Sequence, residues 1–292
     1  VQPGIKAEDF QWSLRSARDL LAGRDMYAYT PGPYAIPYPA PAALVAVPLA
    51  WMPDLVAGGV FFGLSTMLLV FGILRSGEDW RLTMLFSWSF AYALLYVQWS
   101  PLICAAWYLP AVAFMVLIKP HITLPLLLAG EFRKRVLGQR EWKLLIPAPA
   151  MLVLSLVLYP SWPLVWYRQI ATYQGISPPL LSMPLGPLVL VSLLKWRDRR
   201  AWLLILLSMM PQRMVYDQLA IFFVPNSPRQ MWILVACSWV NFAIFSQSGG
   251  WDNVPFGWQN FRLATLYLPA VAMLVWPEKP ASSIAAASVA KT

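Results

Sequence analysis

The residues that could carry chemistry are a few charged side chains placed within or just outside long apolar runs. Asp9 precedes the first apolar run, and Lys119 lies in the break IKPHITLP between two others. Charge placed inside apolar sequence is energetically costly and is usually functional. The chemistry available to such residues is removal of a hydroxyl proton by a carboxylate and binding of an anion by a cation.

Asp9 allows two interpretations that its spacing alone does not separate. A carboxylate acts as a general base when it is held close to a substrate hydroxyl. Asp9 also begins a weakly amphipathic stretch, 9–22, where it could cap the N-terminus of a helix. The other acidic residues of the N-terminal region are expected to solvate their loop or to pair with nearby arginines; they are Glu8, Asp19 and Asp25.

Lys119 is followed directly by Pro120 and His121. Its ammonium, near a helix end at membrane depth, could bind a phosphate. The alternative is that the side chain extends along apolar surface to the membrane interface, as lysines near helix ends do. His121, the single histidine of the chain, could assist in binding or could be the polar residue at which a helix starts.

A second break, PQRMVYD at 211–217, contains Arg213 and Asp217. Their spacing of four residues lets them pair on one helical face. Alternatively, Arg213 could bind an anionic headgroup while Asp217 orients it. Tyr216 could line the same cavity or pack against its neighbours.

The composition places the chain in a bilayer. It has 292 residues, of which 59% are hydrophobic and 12% are charged, and a mean hydropathy of +0.56. A soluble domain carries roughly 25% charged residues. The long, continuous apolar runs predict an all-α, polytopic integral membrane protein.

The net charge of +9 would suggest a nucleic-acid partner in a soluble protein. Here the basic residues cluster in two short loops, 131–143 and 195–200, as they do in the cytoplasmic loops of membrane proteins. No nucleic-acid partner is therefore expected. Two cysteines within apolar runs and one histidine predict neither a disulfide framework nor a metal site.

The apolar runs between residues 38 and 276 predict about nine to eleven transmembrane or re-entrant helices, since a crossing needs about 20 apolar residues. Several runs are short or broken by proline, which is tolerated only where they line a cavity or are buried in protein. These runs are 101–118, 121–130 and 201–211. We therefore expect an internal cavity near one face of the helical bundle.

A single transmembrane domain is expected over residues 1–277. It would carry an outer loop with an interfacial helix at 1–37. A second loop, at 161–183, is rich in aromatic residues. One predicted span separates it from each of the two basic loops, so we expect it on the opposite, outer side of the membrane. The Ala- and Ser-rich tail, 278–292, is expected to be disordered and cytoplasmic.

Three segments, taken in order, resemble the polytopic glycosyltransferases of the GT-C superfamily, in particular family 87. The first is Asp9 followed by ARDLLAGRDMYAY (17–29) and IPYPAPAALVAVPLAWMP (36–53). The others are VQWSPLICAAW (97–107) and VLIKPHITLPLLL (116–128). The resemblance covers roughly residues 9–130 and implies a transmembrane helix ahead of Asp9 that is missing here. The chain also departs from the family pattern, with Val97 where the family has glycine.

The resemblance implies an inverting transfer of a sugar, mannose being one candidate, from a polyprenyl-phosphate carrier to an extracytoplasmic lipid or glycan acceptor. Asp9 falls on the position of the general base. A cation must stabilise the charge that develops on the leaving phosphate. Lys119 is the first candidate for this cation and Arg213 the second. The remaining residues expected to bind the donor are His121, Tyr216 and Gln98. No cofactor is expected, and dependence on a divalent metal stays open.

The alternative is a polytopic transporter or lipid-linked-sugar flippase without transferase activity, because broken helices at mid-membrane also suit transporters. Transporters commonly contain internal repeats, and the two halves of this chain show no self-similarity. The enzyme is therefore the favoured prediction. Its expected partners are the bilayer, a polyprenyl-phosphate-linked sugar and a glycan or glycolipid acceptor, at the extracytoplasmic face of a cell membrane.

Overall fold

The computed structural model describes residues 8–28, 38–132, 136, 138–139, 141–171, 177–211, 215–248 and 257–276. Within these residues every regular element is helical and none is a strand, which confirms the all-α prediction. The α-helices in chain order are α1 (Glu8–Leu21), α2 (Ala40–Ala46), α3 (Asp54–Ser76), α4 (Trp88–Leu95), α5 (Ser100–Ala105), α6 (Pro120–Ala129), α7 (Pro147–Leu158), α8 (Trp162–Ala171), α9 (Arg199–Met209), α10 (Pro228–Ser248), α11 (Gly257–Arg262) and α12 (Leu268–Val275).

Much of the remaining helical backbone is wound more tightly, as 3₁₀-helix. These segments are Val47–Leu49, Asp79–Phe86, Pro110–Leu117, Trp142–Leu145, Pro179–Leu181, Gly186–Lys195 and Val215–Phe223. A π-helical turn, Leu263–Tyr267, joins α11 to α12. Proline stands in the first turn of many of these elements, where its missing N–H would have had no partner in any case.

Two helices in the described part of the chain, α3 and α10, are long and apolar enough to cross a membrane. The bent pair Trp142–Leu158 and Trp162–Ile170, whose axes meet at 96°, adds a third if it forms one span. This is fewer than the nine to eleven or so helices predicted from hydropathy. The reason is that many apolar runs form helices too short for a crossing, which needs about 20 residues.

The chain divides into two compact units. The first comprises Val1–Gly72 and Ala93–Ile176, and the second comprises Ile73–Tyr92 and Ser177–Thr292. The residues of the predicted catalytic region belong to the first unit, whereas the break that contains Tyr216 and Asp217 belongs to the second.

In the first unit, α1 packs against α2 through a stripe of apolar side chains on one face. Phe10, Leu14 and Ala17 are fully buried, at the spacing of successive helical turns. The ring of Phe10 stacks on that of Phe61, with 4.0 Å between ring centroids. The helix ends before Gly23, whose φ of +66° is the left-handed conformation that commonly follows a helix C-terminus.

Arg18 fixes α1 to the start of α3. Its guanidinium donates to the backbone carbonyls of Ala50 and Met52, at 2.9 and 2.7 Å, and to the carboxylate of Asp54 at 2.6 Å. Gln11 donates to the other oxygen of Asp54 at 3.0 Å. One arginine thus satisfies two carbonyls of the turn before α3 and holds the carboxylate in the first turn of α3.

The second unit is organised around α10. The backbone N–H of Trp88 donates to the hydroxyl of Ser238 at 3.0 Å, and the indole of Trp239 donates to the carbonyl of Phe86 at 2.8 Å. These bonds tie the start of α4 to the middle of α10. The segment Val215–Phe223 is buried along its whole length.

Candidate functional site

Four side chains from separate parts of the first unit converge at one place. Lys119 Nζ lies 4.0 Å from Asp9 Oδ2 and donates to Gln98 Oε1 at 3.3 Å. The hydroxyl of Tyr38 donates to the same oxygen of Asp9 at 3.2 Å. The Lys119 ammonium also lies over the Tyr38 ring, 5.4 Å from its centroid. We call these four residues the Asp9–Lys119 cluster.

Local sequence explains how Lys119 reaches this place. Pro120 disfavours helical backbone at the residue before it, so Lys119 leaves the 3₁₀ segment Pro110–Leu117 in a non-helical conformation and becomes the N-cap of α6. The side chain therefore departs from a break between two helices. His121 lies in the first turn of α6 and is partly exposed.

Gln98 is positioned by a tight turn after α4. Its backbone N–H donates to the carbonyl of Ala93 at 2.8 Å, and the preceding residue, Val97, has a φ of +47°. A β-branched residue in this left-handed region is strained by about 1–3 kcal/mol, and such strain is concentrated at functional sites. The turn leaves Gln98 almost completely buried.

Asp9 lies within the first turn of α1, which begins at Glu8. The structure therefore does not place Asp9 at the N-cap position, and its carboxylate is engaged by Tyr38 instead. The side chain of Asp9 is 32% exposed, whereas that of Lys119 is 8% exposed. The carboxylate thus faces both the buried ammonium and the surface.

An aromatic wall stands beside the cluster. The ring of Trp99, which is fully buried, lies 5.8 Å from the ring of Tyr38, 5.9 Å from that of Phe10 and 4.7 Å from that of Phe61. Trp99 directly follows Gln98, and Phe10 directly follows Asp9. The wall therefore packs the chain directly after two of the four members and contacts the ring of a third, Tyr38.

Three linked side chains, Tyr27, Asp25 and Tyr159, hold the backbone of Tyr38 in place. The hydroxyl of Tyr27 donates to the backbone carbonyl of Tyr38 at 3.2 Å. Burial is the main cause that raises the pKa of Tyr27, and the nearby Tyr159 hydroxyl raises it further. The Tyr27 hydroxyl therefore stays protonated and can donate. Asp25 accepts from the backbone N–H of Tyr27 at 2.9 Å and from the Tyr159 hydroxyl at 2.7 Å.

The arrangement offers a carboxylate that a hydroxyl group could approach and a buried cation that could bind an anion. Two of the residues predicted to bind the donor, Lys119 and Gln98, contact each other, and Lys119 contacts the predicted base. Among the described residues, no group of three or more His, Cys, Asp or Glu side chains could hold a metal ion.

No protein-family model matches the chain, and no curated protein or solved structure matches it significantly.

Three further predicted residues come from the break at 211–217. Tyr216 belongs to the second unit, where its ring lies nearly parallel to that of Tyr92, with 5.9 Å between centroids. Asp217 is buried in the same 3₁₀ segment. Arg213 lies outside the described residues, so the predicted pairing with Asp217 stays a prediction.

Tyr38 is the member of the cluster that sequence reasoning missed. It lies in the segment PYAIPYPAP, which the sequence marks only as a proline-rich approach to an apolar run. Its role depends on contacts with residues distant in sequence, and the sole local signal is its place directly before the Pro39–Ala40 start of α2.

Proposed function

We propose that this chain is a membrane glycosyltransferase that transfers a sugar from a polyprenyl-phosphate carrier to an extracytoplasmic lipid or glycan acceptor, with inversion. Mannose is one candidate for the sugar. The observation that carries the proposal is the distance of 4.0 Å between Lys119 Nζ and Asp9 Oδ2. A base and a phosphate-binding cation side by side are what this reaction requires.

In the proposed reaction, Asp9 accepts the proton of the acceptor hydroxyl as that oxygen forms a bond to the anomeric carbon of the sugar. The bond between the anomeric carbon and the phosphate oxygen breaks, and its electron pair stays on the phosphate. Lys119 stabilises the added negative charge. A buried cation is effective here because it is already oriented and poorly screened by water.

Tyr38 and Gln98 orient the two charged groups. The Tyr38 hydroxyl donates a hydrogen bond to Asp9 Oδ2, and Gln98 Oε1 accepts one from the Lys119 ammonium. Donor phosphate would give Lys119 a second anionic partner and weaken its attraction to Asp9. The carboxylate would then be a stronger base once the donor is bound.

The backbone at Val97 supports the resemblance on which this proposal draws. The family pattern has glycine at this position, and glycine adopts positive φ at little cost. The chain holds Val97 at a φ of +47°, which is the backbone conformation that glycine would favour there. The fold thus keeps a glycine-like turn before Gln98 although the residue differs.

We further propose that the protein is polytopic, with the site at the extracytoplasmic face of a cell membrane. In addition to α3, α10 and the bent pair, three shorter apolar helices would be re-entrant or deeply embedded. They are Ala40–Leu49, Pro120–Ala129 and Gly186–Lys195. The site then lies where broken helices meet, as expected for irregular backbone at membrane depth.

The test uses the full chain in proteoliposomes with radiolabelled polyprenyl-phosphate-mannose and polyprenyl-phosphate-glucose as donors and a membrane glycolipid extract as acceptor. Asp9→Asn should lower label transfer by about 10²–10⁴-fold because the general base is lost. Asp19→Asn is the matched control, since this carboxylate lies on the same helix and pairs with the exposed Arg24.

Lys119→Met should raise the donor KM and lower kcat/KM about 100-fold, with Lys143→Met as its control. Wild-type transfer rates in Asp9→Asn would remove Asp9 from the mechanism. Label that crosses the bilayer without reaching an acceptor would favour the transporter. The 96° bend between α7 and α8 is also compatible with a transporter.

A further inference from the structure

The segment Gly186–Lys195 in the second unit presents an apolar surface that nothing in the described chain covers. In a 3₁₀-helix, residues three apart lie on one face, and Gly186, Val189 and Ser192 form the buried face here. Large apolar side chains occupy the rest of the segment and are exposed. They are Leu188, Leu190, Val191, Leu193 and Leu194.

This apolar surface ends in a loop that is both basic and aromatic. Trp196 is 56% exposed and Leu194 is 72% exposed. The guanidinium of Arg197 lies over the Trp196 ring, 5.0 Å from its centroid. The indole of Trp202 donates to the backbone carbonyl of Trp196 at 2.7 Å, which holds a second tryptophan side chain at the loop.

The one carboxylate of the loop is neutralised internally. Asp198 caps α9, accepting from the backbone N–H of Arg200 at 2.9 Å, and its two oxygens pair with the Arg200 guanidinium. Lys195, Arg197 and Arg199 are exposed beside this pair. The loop therefore has a net positive surface with a rigid centre, because Arg200 also donates to the carbonyl of Val224 at 3.0 Å.

We propose that this surface, formed by the exposed side chains from Leu188 to Trp202, binds anionic phospholipid headgroups. The leucines would lie in the acyl layer, the two tryptophans at the interface and the basic side chains against the headgroup phosphates. This order of apolar, aromatic and basic residues matches the layers of a bilayer leaflet. The charge of the loop selects anionic over zwitterionic lipid.

Binding is measured on the full chain in detergent by native mass spectrometry, with titrations of phosphatidylglycerol, phosphatidylcholine and inorganic phosphate. Phosphatidylglycerol should bind more tightly than phosphatidylcholine. Each basic side chain near an anionic surface strengthens association roughly fivefold, so Lys195→Gln with Arg197→Gln should weaken phosphatidylglycerol binding roughly 25-fold. The neutral pair Asp198–Arg200 is left intact so that α9 keeps its cap.

Two controls separate charge at this loop from charge in general. Lys195→Arg with Arg197→Lys preserves the charge and should bind as the unmodified chain does. Arg15→Gln with Arg24→Gln removes the same charge from α1 and the turn after it, and should leave phosphatidylglycerol binding unchanged.

A photoreactive phosphatidylglycerol analogue tests the same idea without any substitution. It should label peptides that contain residues 188–202. Labelling only elsewhere, undiminished binding in the double Gln variant, or equal affinity for phosphatidylcholine would each overturn the proposal. Competition by inorganic phosphate at equal concentration would also overturn it, because the site would then recognise a free anion.

Discussion

Replacing Asp9 with Asn should destabilise the protein more than replacing Lys119 with Met, although both changes break the same ion pair. The two side chains differ in exposure, at 32% for Asp9 and 8% for Lys119. Removing the carboxylate leaves an ammonium that water reaches poorly. Removing the ammonium leaves a carboxylate that water and the Tyr38 hydroxyl can still solvate.

The magnitude follows from the distance and the exposure. Charges 4.0 Å apart interact by about 4 kcal/mol at an effective dielectric constant of about 20. Because Asp9 is partly exposed, screening by water reduces the interaction energy of the pair to about 1 kcal/mol. Asp9→Asn should therefore cost about 1–2 kcal/mol, because the buried Lys119 ammonium loses its anionic partner in this cluster. Lys119→Met should cost less than about 1 kcal/mol, since an apolar chain of similar length fills the space.

Thermal unfolding in one detergent, with every variant measured under the same conditions, provides the assay. A change of 1 kcal/mol shifts the Tm of a chain of this size by about 2–4 °C. The double variant Asp9→Asn/Lys119→Met should unfold at a higher temperature than Asp9→Asn alone, because the buried charge is gone. A larger cost for Lys119→Met than for Asp9→Asn, or simple additivity in the double variant, would refute the reasoning.

Three further predictions concern stability and are checked by thermal unfolding. Val97→Gly should raise stability by about 1 kcal/mol because it relieves a β-branched residue at positive φ; a lower Tm would contradict this. Arg18→Met should cost about 1–2 kcal/mol because two carbonyls and Asp54 lose their donor; an unchanged Tm would show that the contact is not stabilising. Burial opposes ionisation of Asp198, but the bonds from Arg200 outweigh it and hold the pKa of Asp198 below its ordinary value of 3.8. The stability contributed by the Asp198–Arg200 pair is therefore complete above pH 3.8 and is lost as the pH falls through the lowered pKa. The Tm difference between the wild type and Asp198→Asn should be largest near neutral pH and vanish in acid.

Three of the four members of the cluster were predicted, on two different grounds. Lys119 could be selected from the residues themselves because a charged residue is rare in such apolar surroundings, whereas Asp9 as the base and Gln98 as a donor-binding residue were implied by the family resemblance. Their proximity could not be derived from local spacing, since it depends on how the break before α6 is packed against α1. The resemblance to a known family supplied the expectation that the base and the cation act together.

The number of spanning helices was less predictable, for a reason that hydropathy does not capture. Hydropathy measures how apolar a segment is, whereas the length of a helix depends on an unbroken ladder of backbone hydrogen bonds. The chain has 27 prolines, which lack a backbone N–H and disfavour helical backbone at the residue before them. Apolar runs such as 110–129 therefore divide into a 3₁₀ segment and a short α-helix that meet at Lys119.

That division is also what creates the site. A continuous helix through residue 119 would carry the lysine on a regular surface, where its ammonium could extend towards water. The proline break instead turns Lys119 inward, where Gln98, Tyr38 and Asp9 surround its ammonium. Tyr38 contacts both charged members at once, through its hydroxyl to Asp9 and through its ring to Lys119. The hydroxyl of Tyr27 and the ring of Trp99 hold Tyr38 in that position. The same prolines that shorten the apolar helices thus give the chain a buried cation next to a carboxylate that solvent can reach.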